Sequence, residues 1–164
     1  MMSKIKELSM PTQGLITELW FDDQALEAAT FYTNLFPNSR LGSIHHYTTE
    51  NPSGKPVGSI LTVDFTIMNQ RFQALNGGPH FKLNEAISFV IECDDQAEID
   101  FYWDQLSKDP ASEACGWCKD QFGVSWQIVP KGIEEILYPE DEQKAKLAME
   151  KLLEMKKIIK EDFY

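Results

Sequence analysis

The chain has 164 residues, 43% of them hydrophobic and 12% aromatic, which suits one packed domain with a sizeable core. Its formal net charge of -11 argues against nucleic-acid and anionic-membrane partners, whose phosphates call for a basic surface. No run approaches the roughly 18–20 apolar residues that span a bilayer, residues 1–13 lack the apolar stretch of a secretion signal, and three cysteines make no disulfide framework. A reduced, cytoplasmic protein is the expectation.

The first strand-like run, residues 15–21, leads into Asp22-Asp23-Gln24-Ala25 and a helical stripe of Ala25, Ala28, Ala29, Tyr32 and Leu35 that Pro37 stops. Strands are then expected at 40–47 and 57–67, flanking a polar Pro/Gly/Ser loop at 48–56, with Met68-Asn69-Gln70 turning the chain into 71–76. Gly77-Gly78-Pro79 punctuates the chain. The opening words then recur: a strand-like run at 87–93, Asp94-Asp95-Gln96-Ala97 72 positions after the first copy, and a stripe of Ile99, Tyr102, Trp103 and Leu106. Phe31-Tyr32 is echoed by Phe101-Tyr102. A repeated supersecondary unit accounts for these agreements together. Asp95 and Glu98 have capping-box spacing, so the aspartates read as helix caps before they read as catalysts. The second copy compresses its later strands into 114–119 and 124–129. A tail helix over about 140–160, with Ala145, Ala148, Met149, Leu152 and Met155 on one stripe, is expected to pack on the body or on a second subunit.

Strand–helix–three-strand, twice, resembles the vicinal-oxygen-chelate superfamily of glyoxalase I and the extradiol dioxygenases. More narrowly, Leu19-Trp20-Phe21-Asp22, Phe31-Tyr32-x-x-Leu35-Phe36-Pro37, Ala74-Leu75-Asn76-Gly77-Gly78-Pro79, Cys115-Gly116-Trp117 and the run from Asp120 to Pro130 resemble the PhnB-like family, often labelled 3-demethylubiquinone-9 3-methyltransferase. The resemblance implies an α+β fold of two paired βαβββ units forming a curved eight-strand mixed sheet, plus a C-terminal helix, usually as a homodimer. It corresponds to a single glyoxalase-like domain over about 14–163, with unit one at about 14–79 and unit two at about 84–132.

Metal-using members of that superfamily donate one ligand from the first and one from the last strand of each unit. The corresponding positions here are Ile16 or Thr17, Gln73, Ser88 and Gln127, with Glu18 on the opposite face if Thr17 is the equivalent. Two amides and hydroxyl or apolar groups are poor ligands for transition metals, which favour imidazole, carboxylate or thiolate. The expectation is therefore no metal and no cofactor, and a cup in which Gln73, Asn76, Ser88 and Gln127 hold a small molecule, with Trp20 and Trp117 as walls. His80, beside the glycine pair, is the acid/base candidate, against the reading of a surface histidine. His45 and His46 are adjacent on a strand and cannot face one ion without a bulge. Cys115-Gly116-Trp117-Cys118 lacks the helix N-terminus that activates a redox dithiol, so packing is expected of it. Methyl transfer from S-adenosylmethionine finds no glycine-rich strand-to-helix turn. Four functions stay open: a metal-independent binding protein or enzyme, a metal-dependent lyase, isomerase or dioxygenase, the labelled methyltransferase, and a structural dimer module.

Overall fold

The computed structural model describes residues 14–164, so the stretch searched for a secretion signal lies outside the described residues. The chain divides into two compact units, one ending at Lys82 and the other spanning Leu83–Tyr164. The tail helix belongs to the second.

Unit one runs β1 (Thr17–Phe21), α1 (Ala25–Leu35), β2 (Arg40–His46), β3 (Ile60–Ile67) and β4 (Gln70–Asn76). These strands form a sheet of order β1-β4-β3-β2, in which β1 lies parallel to β4 and the other pairs are antiparallel. Strand alternation sorts the side chains. Leu19 and Phe21, Val63, Phe65 and Ile67, and Phe72 and Ala74 are buried on the face that α1 covers with Ala25, Ala28, Ala29 and Tyr32. Tyr32 stacks over Phe65, which in turn stacks on Phe72. The intervening residues form the face away from α1, the helix described in this unit, and that face is helix-free within the unit's described residues.

Asn76 ends β4 and is buried on the helix side. Its Oδ1 accepts from the Ala25 N–H at 2.8 Å, its Nδ2 donates to the Ile60 carbonyl, and its own carbonyl accepts from the Tyr47 hydroxyl at 2.6 Å. Gln24 supplies no side-chain cap to α1. Asn76 therefore caps the helix from across the unit, satisfying a donor that the helix start would otherwise leave orphaned.

Unit two repeats the plan with β5 (Phe89–Cys93), α2 (Gln96–Leu106), β6 (Trp117–Lys119) and β7 (Ser125–Pro130), in the order β5-β7-β6 with β5 parallel to β7. Here the capping expected from the sequence is present. Asp95 Oδ1 accepts from the Glu98 N–H at 2.9 Å, and Glu98 reaches back to the Asp94 N–H.

The expected eight-strand sheet needs correction: the described residues hold seven strands in two sheets, of four and three. Where the eighth strand would run, Asp109 caps a turn of 3-10 helix at Pro110–Ser112, and only a single bridge joins Ala114 to Trp117. Proline has no N–H to give a ladder, and the capping aspartate favours the turn. The tail occupies that edge instead. The Met155 and Lys156 carbonyls accept from the Cys115 and Gly116 N–H groups, both at 2.8 Å, so the sheet edge is covered.

The tail itself is shorter than its apolar stripe. After α3 (Ile133–Leu137), α4 covers Glu142–Glu154, with Asp141 accepting from the Gln143 and Lys144 N–H groups, and Met155 is extended. Ala148 packs with Val129, Leu137, Ile158 and Phe163, joined by Met149, Leu152 and Met155. The tail helix thus packs on its own unit.

Candidate functional site

The helix-free faces carry most of the residues singled out for chemistry. In unit two, Gln127 stands on the middle strand with Val90 beside it on β5 and Trp117 beside it on β6. Its Nε2 donates to Ser88 Oγ at 2.9 Å. Trp126, next along, turns to the opposite face and packs against Phe89 at 5.4 Å between ring centroids. This is the face assignment the alternation required. Gln127, Ser88 and Trp117 are all partly exposed, and Val90 is 56% exposed, so the row is open.

Asp120 holds that strand in place. Its buried carboxylate accepts from the Phe122 and Val124 N–H groups at 2.9 and 3.0 Å through Oδ1, and from the Trp126 indole at 2.8 Å through Oδ2. Gly123 closes the turn with φ +88°, in the left-handed region that suits glycine. Beside it, Lys119 of β6 pairs with Glu85, whose carboxyl the lysine holds below the usual range.

In unit one the row opposite Gln73 differs from the expectation. Thr17 pairs with buried Phe72, whereas Glu18 pairs with Gln73 and shares its face, so Glu18 is on the site side of the strand. On the other flank Gln73 pairs with Asp64, and its Nε2 donates to Asp64 Oδ1 at 2.7 Å. Asp64 Oδ2 lies 3.7 Å from His45 Nε2. Asp64 was not among the residues expected from the sequence, and of the two alternatives for the first strand the Thr17 one, which would have turned Glu18 away, does not hold. The signal for Asp64 was its spacing from Val63 and Phe65, which puts it on the polar side of an alternating strand.

His45 reaches this row because β2 is bulged. Leu41 pairs with Phe65 and Ile44 with Val63, so one extra residue lies in β2 between them. Without it, Leu41 and His45 would share the helix face; with it, Ile44 takes that face and His45 the other. Gly42 sits at the bulge, where a Cβ would come within 3.0 Å of the Asp64 carbonyl oxygen. A second irregularity separates His45 from His46, but among the described residues no group of three His, Cys, Asp or Glu side chains is placed to hold a metal ion.

Trp20 lies on the helix-free face of β1. Its Nε1 donates to the Gly78 carbonyl at 2.9 Å and its ring meets Phe81 edge-on. His80 follows on the exposed segment after Gly78 and makes no hydrogen bond or ion pair among the described residues. Asn76 is committed to the helix cap described above.

The cysteines show no redox chemistry in their surroundings. Cys93 and Cys118 are buried, and desolvation pushes both thiols up to about 12, with nearby carboxylates adding to the shift. A thiol raised that far stays protonated through neutral and moderately alkaline pH, and the thiolate is the nucleophile. Iodoacetamide at pH 8 is expected to label half-exposed Cys115 well before Cys93 or Cys118, read by peptide mass spectrometry. Equal labelling of Cys115 and Cys118 would contradict this packing role.

The sites the superfamily uses for a metal do not fit one here. Gln73 and Gln127 are each engaged through their amide nitrogen, and of the two first-strand alternatives Thr17 faces the helix layer and Ile16 has an apolar side chain. The strand-to-helix turns Asp22-Asp23-Gln24 and Asp94-Asp95-Gln96 carry acidic residues and no glycine, unlike a nucleotide-binding turn.

Comparison with known proteins agrees with the sequence motifs. A family model described as 3-demethylubiquinone-9 3-methyltransferase matches residues 13–129. A PhnB protein from Bacillus cereus is 30% identical, covering 72% of this chain and 99% of its own, with a TM-score of 0.57. A protein from Staphylococcus aureus is 26% identical over 71% of this chain and 95% of its own, with a TM-score of 0.31. A lactoylglutathione lyase from Agrobacterium tumefaciens is 18% identical over 76% of this chain and 97% of its own, with a TM-score of 0.36. No curated protein matches the sequence. On the family match and the Bacillus cereus relative, the chain belongs to the PhnB-like family described as 3-demethylubiquinone-9 3-methyltransferase.

Proposed function

We propose that this chain is a metal-independent small-molecule-binding protein on a glyoxalase-like scaffold, using amide and hydroxyl groups of its helix-free sheet faces. The observation that carries the reading is the Gln127–Ser88 hydrogen bond in an open row between Val90 and Trp117. With one N–H given to Ser88, Gln127 keeps its carbonyl oxygen as an acceptor and its second N–H as a donor, and the Ser88 hydroxyl proton remains free to donate. An acceptor and two donors side by side, flanked by apolar and aromatic side chains, suit an uncharged or weakly polar ligand. Gln73 offers a second amide in unit one, with Trp20 on the same face. Within unit one, His80 is the proton-transfer group of this reading, and Asn76 supports that unit by holding the end of β4.

The methyl transfer in the family's description gains no support from these residues, because neither strand-to-helix turn can cradle a nucleotide-like cofactor. The reading includes a cytoplasmic homodimer. Its acidic surface, with a net charge of -11, favours solubility.

A thermal-shift screen of small metabolites tests the site. Ligands that raise the melting temperature of the wild type are expected to lose that effect on Gln127→Leu, a substitution of similar size at a half-exposed position. Ligands that act equally on wild type and Gln127→Leu would refute the assignment.

A further inference from the structure

Unit two carries a second concavity, built by elements that do not line the sheet face. α3, α4 and the last residues of the chain enclose a groove of about 470 Å³, floored by Ile136, Leu147, Ala148 and Phe163. That volume lies within the roughly 300–1,000 Å³ typical of small-molecule pockets, and its lining has their mainly apolar character. Leu147 is 52% exposed, whereas its neighbour Ala148 is packed into the core below. An occupant would therefore meet an apolar wall that the protein leaves open to water.

Three ionisable side chains line the groove, Glu135, Lys144 and the phenol of Tyr164, and the two charged ones are not equivalent. Glu135 Oε2 lies 3.1 Å from where a Cβ on Gly132 would stand, so this carboxylate is turned back towards the start of its own helix. Lys144 forms no ion pair among the described residues, although Lys146, two positions on, is paired with Glu150. Its backbone N–H is already satisfied by Asp141, so the ammonium is the group it has to offer. A lysine lays its aliphatic stem along apolar surface and keeps its charge at the rim.

An apolar trough with one uncommitted cation at its edge complements a single-chain amphipathic anion. We propose that this groove binds a medium-chain fatty acid, with the alkyl chain along Leu147, Ile136 and Phe163 and the carboxylate on Lys144. A cationic amphiphile would place like charge against Lys144. A neutral alcohol would keep the apolar contacts and lose the ion pair.

Titration calorimetry of the full chain with decanoate below its micellar range, with decanol and decyltrimethylammonium as head-group controls, tests the proposal. Saturable one-site binding of decanoate is expected. Lys144→Ala should weaken decanoate roughly three- to fivefold, the scale of an exposed ion pair, and leave decanol unchanged. Leu147→Asp, at an exposed position, should abolish binding of both, with circular dichroism showing the fold retained. The proposal is overturned if decanoate does not bind, if both variants bind it like the wild type, or if decyltrimethylammonium binds as tightly. Loss of decanoate binding in Gln127→Leu instead would move the ligand to the sheet face and overturn it equally.

Discussion

Asp120→Ala is expected to destabilise the protein by about 3–5 kcal/mol, the largest effect of any single polar substitution in the second unit. Asp120 is only 4% exposed, and its two oxygens take the Phe122 and Val124 N–H groups and the Trp126 indole. Alanine would leave three donors in a buried turn without an acceptor. Each buried donor left unmade costs about 1–3 kcal/mol, more where the lost partner is charged. The turn also sets the register of β7, and with it the direction in which Gln127 points. Asp120→Asn keeps an oxygen but loses the charge and one acceptor, so about half the loss is expected. Urea unfolding of the two variants measures both values. A loss below about 1 kcal/mol for Asp120→Ala would mean that water replaces the carboxylate freely.

Gly77→Ala is expected to cost about 3 kcal/mol, at the upper end of overpacking substitutions, and to displace Trp20. A Cβ on Gly77 would stand 2.3, 2.4 and 2.6 Å from three atoms of the Trp20 ring. An indole is rigid, and this one is held by its hydrogen bond to the Gly78 carbonyl and by the edge of Phe81, so it has no easy retreat. The missing side chain at Gly77 is what lets the Trp20 ring approach the backbone there. Chemical denaturation gives the energy, and the indole resonance of Trp20 reports its displacement. An unchanged Trp20 resonance in a fully stable variant would contradict the packing.

The repeat was legible because both copies keep the same strand exit and helix entry, Asp-Asp-Gln-Ala, and the same alternation along the strand. The way those words act was only half legible. In unit two the local capping spacing works as read, because Asp95 and Glu98 are near each other in sequence. In unit one the cap comes from Asn76, 51 positions away from Ala25, and no local pattern can announce a partner that only the fold brings near.

The candidate site shows the same division. Gln127 and Ser88 could be counted from neighbouring turns, and the structure joins them. The choice between Ile16 and Thr17, and with it the facing of Glu18, stayed open because counting along one strand fixes alternation but not its phase. The phase is set by which residues α1 buries, Leu19 and Phe21. His45 was hidden for another reason: a one-residue bulge at Gly42 reverses the facing of Ile44 and His45, and a lone glycine in a strand signals a bulge without fixing its consequence. The missing eighth strand was partly readable, since Pro110 and Asp109 favour a turn, but the tail's place at that edge was not.

We propose that the positions a metal would occupy in the superfamily serve here as amide and hydroxyl contacts for a small molecule. Metal analysis of the protein purified without chelators, by inductively coupled plasma mass spectrometry, tests it most directly. Far less than one equivalent of zinc, nickel, manganese or iron is predicted, unchanged in Gln127→Leu and Gln73→Leu. One full equivalent that falls away in those variants would contradict the account.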